Sequence, residues 1–526
     1  MIKPLRPSLL LPALVLAFAP MCPSSTIAAD PPAADKAKDE DKKKEPPKPS
    51  ITEHAVTIGG TVVKYRVTAG VQPQLDDKLK VKANVFNIVY ERLADGDEKD
   101  KEGKPLTLAA KEPGKRPITF AFNGGPGSSS VWLHLGALGP RKVAMGAEGE
   151  RLAATSLADN PESWLDFTDL VFIDPVSTGF SRPHEGEDPN QFHGLDEDVR
   201  SVGDFIRLHL TRSQRWLSPK YLCGESYGTT RAAGLARDLS DRLGITLDGI
   251  VLVSPVLNFQ TLSFEPGNDT AYWLFMPAYT ATAFYHKKLA PTLDADLEKT
   301  IEQATAWAQS EYVVALSQGD ALPPAKRDEV AARLAALTGL SVEFVKRSNL
   351  RVSIGAFTKE LLRDQGKTVG RFDSRYTGID RSREGTGPDY DPSYTAVQGP
   401  FTASLNAYLR GELGYESDLN YEILTGNVHP WNYPARNRYV NVSESLRSAM
   451  TKNPTMRVLV VSGYYDLATP FFAATYTNTH LFLDESLRGN ITQTFHRSGH
   501  MVYLRDADMV KLKRDAAAFY QAGVHR

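Results

Sequence analysis

Tyr221-Leu222-Cys223-Gly224-Glu225-Ser226-Tyr227-Gly228 is the stretch that decides the fold of this chain. A short apolar run leads into Gly-x-Ser-x-Gly, and an Ala-rich segment at 231–239 follows. Strand, sharp turn and helix is the setting in which this pentapeptide makes a nucleophile elbow. The turn pushes the serine outward, and the two glycines remove Cβ atoms where strand and helix pass closest. A Gly-Ser turn that merely opens a helix is the competing reading, so the rest of the chain must decide.

Working outward, apolar runs at 118–122, 170–173, 221–223, 250–253 and 456–461 read as buried strands. Helical periodicity at 195–210 and 230–243 lies between them. Buried strands alternating with helices predict an α/β fold with a largely parallel central sheet. Upstream, 51–93 alternates apolar and polar residues, which predicts antiparallel strands turning at Gly59-Gly60 and near 74–77. From about 264 to 446 the rhythm changes. Helical patterns at 294–318, 326–337, 342–347 and 359–365 precede a Gly/Asp/Pro/Tyr-rich loop at 372–400. A mostly helical cap at 264–446, inserted between core segments 51–263 and 447–526, is the expected organisation.

The 526 residues, 41% of them hydrophobic, suffice for a large core. Sixty-one basic against 63 acidic side chains leave no basic stripe for nucleic acid. Lys3 and Arg6 precede an apolar run at 9–19 and small residues at 27–29, so 1–29 reads as a secretory signal peptide, with an uncleaved anchor as the alternative. Cys22 follows Met21, which makes a poor lipoprotein box. The charged, Pro- and Lys-rich tract 30–50 is expected to be a disordered tether. No later segment is apolar enough to span a membrane, so no stable insertion is expected once the leader is gone. Cys223 is then the only cysteine. An exported protein of this size without an internal disulfide fits a bacterial periplasmic or extracellular address. Cys223 itself reads as a small core residue of the strand.

Three further segments bear on the chemistry. Asn123-Gly124-Gly125-Pro126-Gly127-Ser128-Ser129-Ser130 follows the run at 118–122. Such a loop can turn an N–H, here that of Gly125, toward a developing oxyanion, the second donor being the residue after the nucleophile, Tyr227. A phosphate loop is the rival, but its Lys-Ser/Thr ending is absent. Residues 458–466 read as a strand running into a turn that ends at Asp466, and Ser498-Gly499-His500-Met501-Val502 sets a histidine in a Gly-flanked loop. The order Ser226, Asp466, His500 is that of α/β-hydrolases. Serine needs a base to accept its proton, and a carboxylate fixes the tautomer of that base. His496 competes with His500 for the role but lacks the Gly-His loop. No spacing of His, Asp and Glu suggests a metal, and no cofactor is expected.

The chain resembles the serine carboxypeptidases, the family of carboxypeptidase Y. The blocks that carry the likeness are 123–130, Asn160-Pro161-Glu162-Ser163-Trp164, Asp174-Pro175-Val176-Ser177-Thr178-Gly179-Phe180-Ser181, 224–227, 463–466 and 499–502. They span about 115–262 and 455–520. The resemblance implies an α/β-hydrolase that releases C-terminal residues from peptides through an acyl-enzyme. It also implies that Asn123 and Glu225, with Gly124 beside them, bind the substrate's terminal carboxylate. Glu225 can do so only if one of the two carboxyls is protonated, because like charges at contact repel. The chain departs from the family pattern in four places. Ala121-Phe122 stands where Trp-Leu is usual, Ser128 replaces a Cys, and Ala137 occupies the place of a Glu that pairs with the Glu225 equivalent. Gly228-Thr229-Thr230-Arg231 replaces Ala-Gly-x-Tyr, and Arg231 reads as a helix-surface cation or a charge in the pocket. An esterase or acyltransferase on the same scaffold is the alternative activity. A catalytically silent binding protein would lack a triad or oxyanion residue, and none is missing.

Overall fold

A computed structural model describes residues 47–96 and 98–524. The leader and the tether as far as residue 46 lie outside the described residues, and Ser50 already belongs to the first strand.

Among the described residues nine strands form the path of one sheet. They are β1 (Ser50–Ile58), β2 (Thr61–Leu75), β3 (Val81–Arg92), β4 (Ile118–Phe122), β5 (Asp169–Ile173), β6 (Lys220–Glu225), β7 (Gly249–Val253), β8 (Arg457–Gly463) and β9 (Ile491–His496). Their order is β1-β2-β3-β5-β4-β6-β7-β8-β9, and the two-residue strand Arg182–Pro183 adds to β3. Pairing is antiparallel from β1 through β5 and parallel from β5 to β9. This is the α/β-hydrolase fold with its largely parallel central sheet. Gly59 and Gly60 turn β1 into β2 with positive φ, as the alternating pattern predicts.

The central strands are apolar throughout because both faces are covered. Ile250 and Leu252 pack with α1 (Leu195–Arg212) and α2 (Tyr227–Leu243) on one face. Val251 and Val253 join Phe519 and Tyr520 of α5 (Asp506–Val524) on the other. Cys223 is fully buried in β6.

Between β7 and β8 the chain is mainly helical and has its own apolar cluster, into which Leu467, Phe471 and Phe472 also pack. Helix α3 (Thr270–Tyr285) is apolar on nearly every side and buried for most of its length. Its lack of an amphipathic stripe hid it in the sequence. The expected loop at 372–400 is shorter than the composition suggested. Asp391 caps α4 (Pro392–Ala407) by accepting from Ser393 N–H, with Pro392 in the first turn, where a missing N–H costs nothing. Among the described residues no helix is long and apolar enough to cross a membrane.

Candidate active site

The parallel strands deliver the site at their C-terminal ends. β6 ends at Glu225, and Ser226 follows with φ 59° and ψ −129°, a strained conformation for a residue other than glycine. Ser226 N–H donates to Val253 O of the neighbouring strand at 3.0 Å, and α2 begins at Tyr227. A Cβ on Gly224 would sit 2.3 Å from Gly228 O, so the first elbow glycine is required by close approach.

Asp466 lies in the turn after β8 and is buried. Its Oδ1 accepts from the N–H groups of Ala468 (2.7 Å) and Thr469 (2.9 Å). Its Oδ2 accepts from Thr469 Oγ1 at 2.7 Å and lies 2.8 Å from His500 Nδ1. His500 follows β9 and is held from two further sides. Its N–H donates to Phe372 O at 2.6 Å, and the Phe372 ring stacks on the imidazole at 5.0 Å and 14°. Burial alone would lower the pKa of His500, but the Asp466 carboxylate and then Glu225 reverse that, leaving it above the usual histidine value. His496, the rival base, is buried beside Asp508 instead, 3.3 Å from its Oδ1.

Ser226 and His500 line one cavity of about 380 Å³ with Asn123, Gly124, Gly125 and Glu225. Trp132, Phe372, Tyr394 and Val397 supply much of its apolar wall. Gly124 packs so closely that a Cβ there would lie 2.4 Å from Tyr227 N. The loop at 124–125 and the N-terminus of α2 are thereby brought together. No acceptor takes the N–H of Gly125 or Tyr227 among the described residues. The positive end of the α2 dipole lies at the same place.

Asn123 Oδ1 accepts from Leu133 N–H at 3.1 Å, while its buried Nδ2 closes no full hydrogen bond and faces the Glu225 carboxyl, whose pKa it helps to hold down. Glu225 is buried, and burial lifts its carboxyl to about 7, against the opposing pull of His500 and of the Tyr503 hydroxyl. That hydroxyl donates to Glu225 Oε2 at 2.7 Å. The other family-like blocks brace this machinery. Asp174 accepts from Ser130 N–H (2.9 Å) and Ser130 Oγ (2.8 Å), and Asn160 Nδ2 donates to Ala137 O (2.8 Å) and Gly139 O (2.7 Å).

Arg231 corrects the expectation from sequence. It is neither a surface cation nor a charge facing the cavity, but is fully buried, with Nε donating to Asp198 Oδ2 at 2.7 Å and Nη1 to Asn123 O at 2.5 Å. The partner on α1 is what makes burial of a guanidinium tolerable. Tyr503, Thr469 and Phe372 were not foreseen. A Thr three residues after Asp466 was legible as a local capping pattern. Phe372 and Tyr503 reach the site only through tertiary packing.

The sequence profile of the family described as serine carboxypeptidase matches residues 106–503. The chain belongs to the serine carboxypeptidase family. Among its relatives is the pheromone-processing carboxypeptidase KEX1 of Puccinia graminis f. sp. tritici, 29% identical over 163 residues, which are 30% of this chain and 23% of that protein. Serine carboxypeptidase-like 36 of Arabidopsis thaliana is 30% identical over 150 residues, 27% of this chain and 29% of that protein. The chain thus matches less than a third of either relative's length. A crystal structure of Kex1(delta)p, a prohormone-processing carboxypeptidase from Saccharomyces cerevisiae, superposes with a TM-score of 0.53 and 17% identity, covering 87% of this chain and 91% of that one. At that identity the likeness speaks for the fold of the family.

Proposed function

We propose that this protein is a serine carboxypeptidase that releases C-terminal residues from peptides through an acyl-enzyme. The observation that carries the proposal is one cavity lined by Ser226, His500, Asn123 and Glu225, with Asp466 Oδ2 2.8 Å from His500 Nδ1 behind it. Asn123 Nδ2 is a buried donor that closes no full hydrogen bond and faces Glu225, so it is free to turn to an incoming acceptor. Glu225, lifted to about 7, is protonated over the acidic and near-neutral range and can donate to an incoming carboxylate.

In the reaction, Ser226 Oγ attacks the carbonyl carbon of the last peptide bond as His500 Nε2 takes its proton. The Asp466 carboxylate keeps the other proton on Nδ1 and steadies the imidazolium. The N–H groups of Gly125 and Tyr227 receive the oxyanion. On collapse the C–N bond breaks, and the leaving amine of the C-terminal residue takes the proton from His500. Water then attacks the acyl-enzyme carbonyl as His500 takes its proton, and on collapse the C–Oγ bond breaks, His500 returns the proton to Ser226 Oγ and the shortened peptide leaves. No metal or cofactor enters these steps.

An esterase or acyltransferase is the second reading, favoured by one observation: residue 137 is Ala, so no second carboxyl stands there to assist Glu225. The cap at 264–446 and an exported, periplasmic or extracellular address remain proposals from the sequence. The function is tested by incubating a decapeptide with the wild type and with Ser226→Ala and following the products by mass spectrometry. A ladder shortened one residue at a time from the C-terminus, lost in the variant, is expected. Internal cuts, or a ladder that survives Ser226→Ala, would contradict the proposal.

A further inference from the structure

Glu225 is gripped by a residue outside the elbow and outside the Gly-rich loop. The Tyr503 hydroxyl donates to Oε2 at 2.7 Å, and both side chains are buried. The Tyr503 ring lies where it does because the facing backbone is bare. A Cβ on Gly136 would come within 2.3 Å of Tyr503 Cε2 and 2.8 Å of Cδ2, and the next residue, Ala137, carries only a methyl group. Asn160 ties that backbone down through the carbonyls of Ala137 and Gly139. The ring is thus wedged against a fixed surface, and its hydroxyl has one place to go.

We propose that Tyr503 is the positioning residue for substrate-carboxylate recognition. It pins Oε2 of Glu225 so that Oε1, carrying the proton, is presented to the terminal carboxylate beside Asn123. This rests on the carboxypeptidase function proposed above. The ionisable groups around Glu225 are His500 and Asp466 from the two loops, Tyr503 from the turn after His500, and Cys223 from its own strand. Burial pushes both the Tyr503 phenol and the Cys223 thiol far up, so neither titrates in the working range. Among the described residues lining the cavity Glu225 is the one carboxyl, so it is the acid that faces an incoming carboxylate. The phenol donates to the ionised carboxylate as well as to the acid, and so restrains the upward pull of burial.

The test uses Tyr503→Phe, which removes one oxygen and keeps the ring. kcat and KM are measured for a blocked dipeptide with a free C-terminal carboxylate, for its amide, and for a p-nitrophenyl ester, from pH 5 to 9. Two changes are expected for the free acid. At pH 5.5, where Glu225 is protonated in both proteins, KM rises about tenfold with kcat little changed, the scale of one hydrogen bond to a charged or acidic group. The alkaline limb of kcat/KM moves up by about half to one pH unit, because the ionised form has lost a donor. Ester turnover stays within about twofold. Equal losses on ester and free acid, or an unmoved limb and KM, would overturn the role of Tyr503 while leaving the carboxypeptidase function standing. A wild type with no preference for the free acid over the amide would remove both. Should the variant fail to fold, the wild-type profile decides. One ionisation, near pH 7, is expected on the alkaline side, and a two-proton limb would refute a lone titrating carboxyl.

Discussion

Asp466→Asn is the substitution whose outcome the structure constrains most tightly. Two backbone N–H groups, those of Ala468 and Thr469, hold Oδ1 at 2.7 and 2.9 Å. An amide in this place must keep its oxygen there, since an NH2 group would face two donors. The NH2 is thereby forced into the Oδ2 position, 2.8 Å from His500 Nδ1 and 2.7 Å from Thr469 Oγ1. His500 then accepts at Nδ1 and carries its proton on Nε2, the tautomer that cannot take a proton from Ser226. The attraction between carboxylate and imidazolium disappears as well. At a charge separation of about 4 Å and an effective dielectric constant of about 20, that is about 4 kcal/mol, or three decades in rate. The tautomer error adds to this, so kcat should fall by about 10³–10⁴ with the fold intact. Single-turnover and steady-state hydrolysis of a p-nitrophenyl ester, with circular dichroism as the folding control, measure it. A loss below about tenfold would refute the tautomer argument and the assignment of Asp466.

Three other outcomes follow from named contacts. Gly124→Ala places a Cβ 2.4 Å from Tyr227 N and 2.7 Å from Gly228 N, so the loop must retreat from the α2 N-terminus. Ester and peptide turnover should drop together by about 10² or more, and an unchanged ester kcat would show that these amides do not hold the oxyanion. Arg231→Met leaves Asp198 buried without its cation and Asn123 O without its donor. Urea unfolding should show a loss of about 3–5 kcal/mol, and a change under about 1 kcal/mol would mean that the pair is not buried as described. For pH dependence, His500 must be neutral to act, and its pKa lies above the ordinary 6.5, so ester kcat/KM should climb with pH beyond that value and level off. The free acid also needs protonated Glu225, so its kcat/KM should fall again above about 7; identical profiles for the two substrates would exclude Glu225 from carboxylate binding.

Much of the core was legible because its strands are buried on both faces. The run at 118–122 and that at 250–253 coincide with β4 and lie within β7. β9 has a weak pattern because it is an edge strand in which Thr492 is exposed and Ile491, Gln493, Thr494 and Phe495 are only partly covered. The elbow, the Gly-rich loop, Asp466 and His500 stood out as short motifs; residues of the elbow, the loop and His500 line one cavity, with Asp466 buried 2.8 Å behind His500. Pairings across the fold were not readable. Arg231 looks like any helix cation until Asp198 is seen beside it, and Tyr503 acquires its meaning only where Gly136 leaves room. Asp391-Pro392 was a readable helix start inside a segment whose Gly and Asp content argued for a loop.

The central claim is that one cavity both recognises a free C-terminal carboxylate and hydrolyses the bond next to it. The most direct measurement is kcat/KM for a blocked dipeptide acid beside the same dipeptide amidated, at pH 6, with the wild type and with Glu225→Gln. A preference of the wild type for the acid of about a hundredfold or more, much reduced in the variant while p-nitrophenyl ester hydrolysis persists, is the expected result. Equal rates on acid and amide, or hydrolysis of the ester alone, would contradict it and move the protein to the esterases or acyltransferases of the same fold.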